Sequence, residues 1–142
     1  MASNTAASNV NRDVLVGQLG LRQYKNTTIY TKSRVFVISP SSQNSYSWFD
    51  LRKVNLDRYD RTKETGHLLV RYQNILLWAE LNQFIDNSIS EESKVYTPSI
   101  GVHWKFNIVE HDGNYTALNR TGKQKYKLIN IGVEKLKSII ES

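Results

Sequence analysis

The chain contains no cysteine in its 142 residues, so neither a disulfide framework nor a thiolate zinc site is open to it and the fold must hold by packing alone. That absence fits a reducing compartment, and the cytoplasm is the expected location. Proline occurs only at Pro40 and Pro98, which leaves long stretches free of the residue that interrupts helices and central strands. No stretch approaches the roughly 18 consecutive apolar residues of a membrane helix. The opening residues 1–11 have neither the apolar core nor the basic run of an export or transit signal. Chemical signatures are missing as well: there is no glycine-rich phosphate loop, nucleophile elbow or HExxH motif, and His67, His103 and His111 never fall at ligand spacing,. The linear sequence therefore names no catalytic residue, no metal and no cofactor, and leans away from an enzyme.

What is present is an ordinary globular balance, 39% hydrophobic and 23% charged. A chain of this length buries about two thirds of its unfolded surface around one core. Residues 1–10 are small and polar and read as a mobile leader, with residues 11–142 as a single domain,.

The net charge of +6 is unevenly spread. From Arg22 to Lys53 six cations stand against Asp50 alone, and from Arg120 to Lys137 six stand against Glu134 alone, a balance of +5 in each segment. From Glu64 to Thr116 three cations face seven carboxylates, a balance of −4. Charge segregated in this way speaks about partners rather than about fold, and a basic surface points first to a polyanion.

Periodicity supplies the elements. Asn11 is placed to cap a short helix through Leu19, with Val14, Leu15 and Leu19 inward and Gly20 as its stop. Residues 27–39 are rich in β-branched and aromatic side chains and form a strand or two. Residues 46–59 read as a short strand or loop leading into a helix. His67–Tyr72 and Ile75–Leu81, joined at Gln73-Asn74, make a hairpin, followed by a helix over 81–89. Val102, Trp104, Phe106 and Ile108 alternate with His103, Lys105 and Asn107, the clearest period of two in the chain and the mark of a strand with one wet face. Asp112-Gly113-Asn114 turns that strand back through Leu118, and Lys125–Ile129 forms the last strand. Asn130 then caps a helix whose inward stripe is Val133, Leu136, Ile139 and Ile140. The fold class is α+β, an antiparallel or mixed sheet of about six strands with short links. A short N-terminal helix and a C-terminal helix flank it, and the links are short enough for the sheet to curl into a partly open barrel.

Arg120, Lys123, Lys125 and Lys127 crowd around Gly122 and Tyr126. On one strand face Lys125 and Lys127 stand about 7 Å apart, close to phosphate spacing along a nucleic-acid strand. The plainer reading of the same lysines is an edge strand blunted against aggregation. Arg52, Lys53, Arg58, Arg61 and Lys63 form a second cluster, but Asp50, Asp57, Asp60 and Glu64 lie among them and point to a self-paired surface. Of the three tryptophans, Trp78 and Trp104 sit in apolar runs and belong to the core. Trp48 follows the polar loop Ser41–Ser45 and pairs with Tyr46 as the more exposed aromatic couple, suited to stacking on bases.

These features lead to a DNA-binding recognition module, with DNA favoured over RNA and no membrane partner. Arg34, Arg52, Lys53, Arg120, Lys123, Lys125 and Lys127 are the candidates to hold phosphates, and Gln43, Asn44, Tyr46 and Trp48 to read bases. At the level of fold class alone, the order of elements is compatible with small curled-sheet DNA readers of defence and regulatory proteins, such as PUA-like and B3-like modules, and with a larger assembly or a homodimer. Two rivals stand beside this reading. One is an interaction or inhibitor domain docking a basic partner on the acidic stretch Glu80–Glu92. The other is a small Mg²⁺-dependent endonuclease using Asp50, Asp57 or Glu92, weakened because Glu92-Ser93-Lys94, the only carboxylate-x-lysine triplet, lies in a loop,.

Overall fold

Alternation in the apolar pattern becomes a ten-stranded sheet in the computed structural model, which describes residues 12–42 and 47–141. In chain order the elements are α1 (Val14–Gln18), β1 (Arg22–Gln23), β2 (Ile29–Lys32), β3 (Val35–Ile38), β4 (Trp48–Arg52), α2 (Lys53–Leu56), β5 (Thr65–Tyr72) and β6 (Ile75–Glu80). There follow α3 (Leu81–Ser88), β7 (Val95–Thr97), β8 (Gly101–His111), β9 (Asn114–Asn119), β10 (Lys125–Asn130) and α4 (Val133–Glu141). The strands lie in the order β1-β2-β3-β5-β6-β10-β9-β8-β4, with β7 paired to β8. Every ladder between named strands is antiparallel except β3–β5.

The α+β class and the mixed sheet agree with the sequence, but the strand count and the closure do not. Ten strands replace about six in part because residues 27–39 give two strands and residues 48–52 another, and because β1 and β7 are two and three residues long. Strands so short show no periodicity of their own and exist through their partners. The sheet also stays open, with β1 and β4 as the ends of its path. Its two halves nonetheless contribute to one core. Ile29, Phe36, Leu68 and Val70 from one half share a single core with Phe49, Leu51, Phe106, Ile108 and Ala117 from the other. Phe106 stacks on Phe49 at 5.2 Å and meets Phe84 of α3 at 5.1 Å. The halves are joined through β10, which pairs with β9 along Lys125–Leu128 and with β6 at Ile129 and Asn130.

A second cluster forms on the outside of the first half, where Leu15 and Leu19 at the N-terminus and Leu136 and Ile140 of α4 cover Tyr30, Val37, Leu69 and Leu76. The first helix ends at Gly20, as expected, whose φ of +71° suits glycine,. It is wound with the wider π-type bond, the Leu19 N–H donating to the Val14 carbonyl at 2.9 Å. Its expected cap, Asn11, lies outside the described residues, as do the leader and Gln43, Asn44 and Tyr46. Asn130 does not cap the last helix. It belongs to β10, and the helix starts later, the Leu136 N–H donating to the Gly132 carbonyl at 3.0 Å. The hairpin at Gln73 and the turn at Asp112-Gly113 form as expected, all three residues having positive φ,. Among the described residues no helix is long and apolar enough to cross a membrane.

Two positions allow direct tests of this packing. Tyr59 lies over Gly66 of β5, where an added Cβ would meet the ring at 2.5 Å, and the Tyr59 hydroxyl donates to Asn82 Oδ1 at 2.8 Å. Gly66→Ala is expected to lower stability by about 2–3 kcal/mol through overpacking. Denaturant unfolding checks it, and most of the loss should return in the Gly66→Ala, Tyr59→Leu double variant.

Trp78, expected in the core, is instead half-buried, its indole N–H donating to Nδ1 of the buried His67 at 3.0 Å. Burial holds the His67 imidazole below its ordinary pKa of 6.5,. The unfolded chain thus binds a proton that the folded chain resists, so this contribution is complete above pH 6.5 and is lost as pH falls below it,. Urea midpoints at about pH 7.5 and pH 5 should show a drop that His67→Gln reduces; an equal drop in that variant excludes His67 as its source.

Candidate nucleic-acid interface

Cross-strand register decides which side chains share a face. Trp48 on β4 stands opposite Asn107 on β8, Asn107 opposite Leu118 on β9, and Leu118 opposite Lys125 on β10. At about 4.8 Å between strands this row is about 14 Å long. A parallel row holds Val109, Thr116 and Lys127. Their neighbours in sequence, Phe49, Phe106, Ile108, Ala117 and Leu128, are buried on the opposite face. The outer face of this half of the sheet thus carries Asn107, Thr116, Lys125 and Lys127 together with Trp48, Leu118 and Val109.

Arg120 begins the turn after β9, and its backbone N–H donates to the Lys105 carbonyl at 2.9 Å. Its guanidinium lies over the Trp48 ring at 4.7 Å, and Lys105 Nζ stands 5.5 Å from the same ring. Both contacts are cation–π pairs at the β4 edge. Lys105 also meets Asp50 at 3.3 Å. The turn is shaped by the fully buried Asn119. Its Nδ2 donates to the Ser88 carbonyl at 2.9 Å and to Ser93 Oγ at 3.1 Å, while its Oδ1 accepts from the Thr121 and Gly122 N–H groups. Lys123 adopts φ +67°, and its N–H donates to the Asn119 carbonyl.

Of the cations singled out in the sequence, Arg120, Lys123, Lys125 and Lys127 gather on or beside this face, with Trp48 and Arg52 at its β4 border. Among the described residues none of these five cations forms an ion pair with a carboxylate. The lysines of β10 do not guard a free edge, since β10 is an interior strand. Two other candidates fall elsewhere. Arg34 lies in the β2–β3 turn beside Asp60, Lys63 and Glu64, at the end of β3 opposite Pro40 and Ser41. Lys53 is bound to Asp57 at 2.8 Å, an ion pair that raises the lysine's pKa. Among the described residues the second cluster is self-paired only at Lys53 and Asp57: α2 ends at Leu56, Arg61 reaches Asp86 of α3 at 2.9 Å, and Asp50 meets Lys105 instead. Lys105 was legible as a wet-face residue of its strand, but only the register with β4 brings it to Trp48.

Beside Trp48 the open sheet leaves a cleft of about 420 Å³ between β4 with α2 on one side and residues 26–28, Pro40 and Ser41 on the other. Trp48, Asp50, Arg52, Asn55 and Lys105 line it. Glu91 of the acidic stretch is bound to Lys94 at 2.6 Å, and Glu80 caps α3 through the Gln83 N–H. Among the described residues no group of three or more His, Asp or Glu could hold a metal ion. Comparison with family models, with curated proteins and with solved structures gave no match.

Proposed function

We propose that the chain binds nucleic acid, single-stranded DNA first, across the outer face of β4, β8, β9 and β10. The observation that carries this reading is the register that sets Trp48, with Arg120 and Lys105 at its ring, in one row with Lys125 and beside the row of Lys127. An aromatic ring on an open, cationic sheet suits a flexible strand whose bases can stack while its phosphates meet lysine and arginine. A duplex presents its phosphates but hides its base faces, so a platform of this kind favours unpaired strands. The acidic stretch supports the interaction-domain reading less, because Asp86 and Glu91 are held by Arg61 and Lys94 within the chain.

Fluorescence anisotropy on single-stranded and duplex DNA of one sequence, at low and moderate salt, tests the proposal. Binding at micromolar protein, tighter for the single strand and weakening steeply with salt, is the expected result. Absence of salt-sensitive binding to either form refutes it.

A further inference from the structure

The cleft beside Trp48 is lined by a polar side chain that the fold leaves without a protein partner among the described residues. Asn55 of α2 is nine-tenths buried, lines the cleft, and has no side-chain hydrogen bond among the described residues. Its amide opens to the cleft, where a ligand can exchange hydrogen bonds with it,. An asparagine amide offers a donor and an acceptor side by side, which is the pattern along the edge of a nucleobase. Arg52, exposed and without a carboxylate partner among the described residues, borders the same cleft and supplies a cation for a phosphate,. The volume, about 420 Å³, is in the range of small-ligand sites,.

Building on the nucleic-acid reading, we propose that this cleft receives a single nucleotide unit, its base packed against Trp48 and read along its edge by the Asn55 amide, its phosphate on Arg52. The unit is either one base turned out of a bound strand or a free nucleotide, and the two share the same recognition chemistry.

The test uses the full chain and three probes: a short single-stranded oligonucleotide, the same strand lacking all its bases, and deoxyadenosine monophosphate. Asn55→Leu is expected to weaken binding of the intact strand about tenfold, as loss of one paired base contact does, while the baseless strand binds both proteins equally. Ile100→Trp narrows the cleft from a half-buried position without altering Asn55 and should show the same split; it decides the matter if Asn55→Leu fails to fold by circular dichroism. If both variants fold and bind the intact strand like the parent, or if the baseless strand binds the parent as tightly as the intact one, the cleft proposal is overturned and the sheet-face reading stands. If the monophosphate binds with the same dependence on Asn55 while neither strand binds, the cleft takes a free nucleotide and the sheet-face reading falls. Binding of none of the three overturns both.

Discussion

Replacing Arg120, Lys125 and Lys127 together by alanine is expected to weaken single-stranded DNA binding roughly a hundredfold, about 1 kcal/mol for each charged contact removed. The dependence on salt should weaken too. Each phosphate contact on a single strand contributes about 0.7 to the slope of log affinity against log salt, so three lost contacts flatten it by about 2. This pairing of effects separates direct phosphate contact from a general change in charge, because the loss of two lysines elsewhere, Lys135 and Lys137 on α4, should leave affinity within about threefold and the slope nearly unchanged. Melting temperatures should stay close to that of the parent, since Lys125, Lys127 and Arg120 are exposed and form no ion pair among the described residues. Equal slopes for the triple variant and the parent would refute the assignment of these residues.

Asn119→Ala is expected to be the most damaging substitution at a polar position, at about 3 kcal/mol of stability. The side chain is fully buried and holds four partners, two through its amide N–H groups and two through its oxygen. Its removal leaves the buried Ser88 carbonyl and the turn N–H groups without their partner, and a methyl group offers nothing in exchange. Asn119→Asp, which keeps the acceptor but removes the donors, should lose less on the turn side and more at Ser88 and Ser93. Chemical denaturation followed by tryptophan fluorescence measures the loss. A value under about 1 kcal/mol for Asn119→Ala would mean that water replaces these bonds and that the turn does not depend on them. Because Asn119 positions the turn that carries Arg120 and Lys123, the variant should also bind DNA more weakly under conditions where it remains folded.

Local signals were readable wherever one residue's environment is set by its near neighbours. The alternation from Val102 to Ile108, the turn at Asp112-Gly113 and the apolar stripe of α4 each reflect a single element with a dry and a wet side. What could not be read is which elements meet. Trp48 and Lys105 are far apart in sequence and converge only because β4 leaves its chain neighbours to pair with β8, and no periodicity encodes that choice. The same holds for Arg34. It lies in the same basic segment as Arg52, but β3 carries it to a different end of the sheet. Lys53 illustrates a third limit: its charge was visible, but its capture by Asp57 depends on where α2 stops. Asn55 gave no signal of its own, because an asparagine between Val54 and Leu56 is unremarkable until the cleft around it is known.

The displaced position of β4 bears on the order in which the protein gains its parts. Strands β8, β9 and β10 are linked by tight turns and can pair early, through contacts close along the chain,. Strand β4 must close a loop of about fifty residues to reach β8,. A chain caught before that closure already presents the lysines of β10 but lacks the tryptophan ring, and so would adhere to polyanions by charge alone. On the proposed reading, discrimination between strands would arrive with this long-range contact, and maturation of the fold would also be maturation of its selectivity.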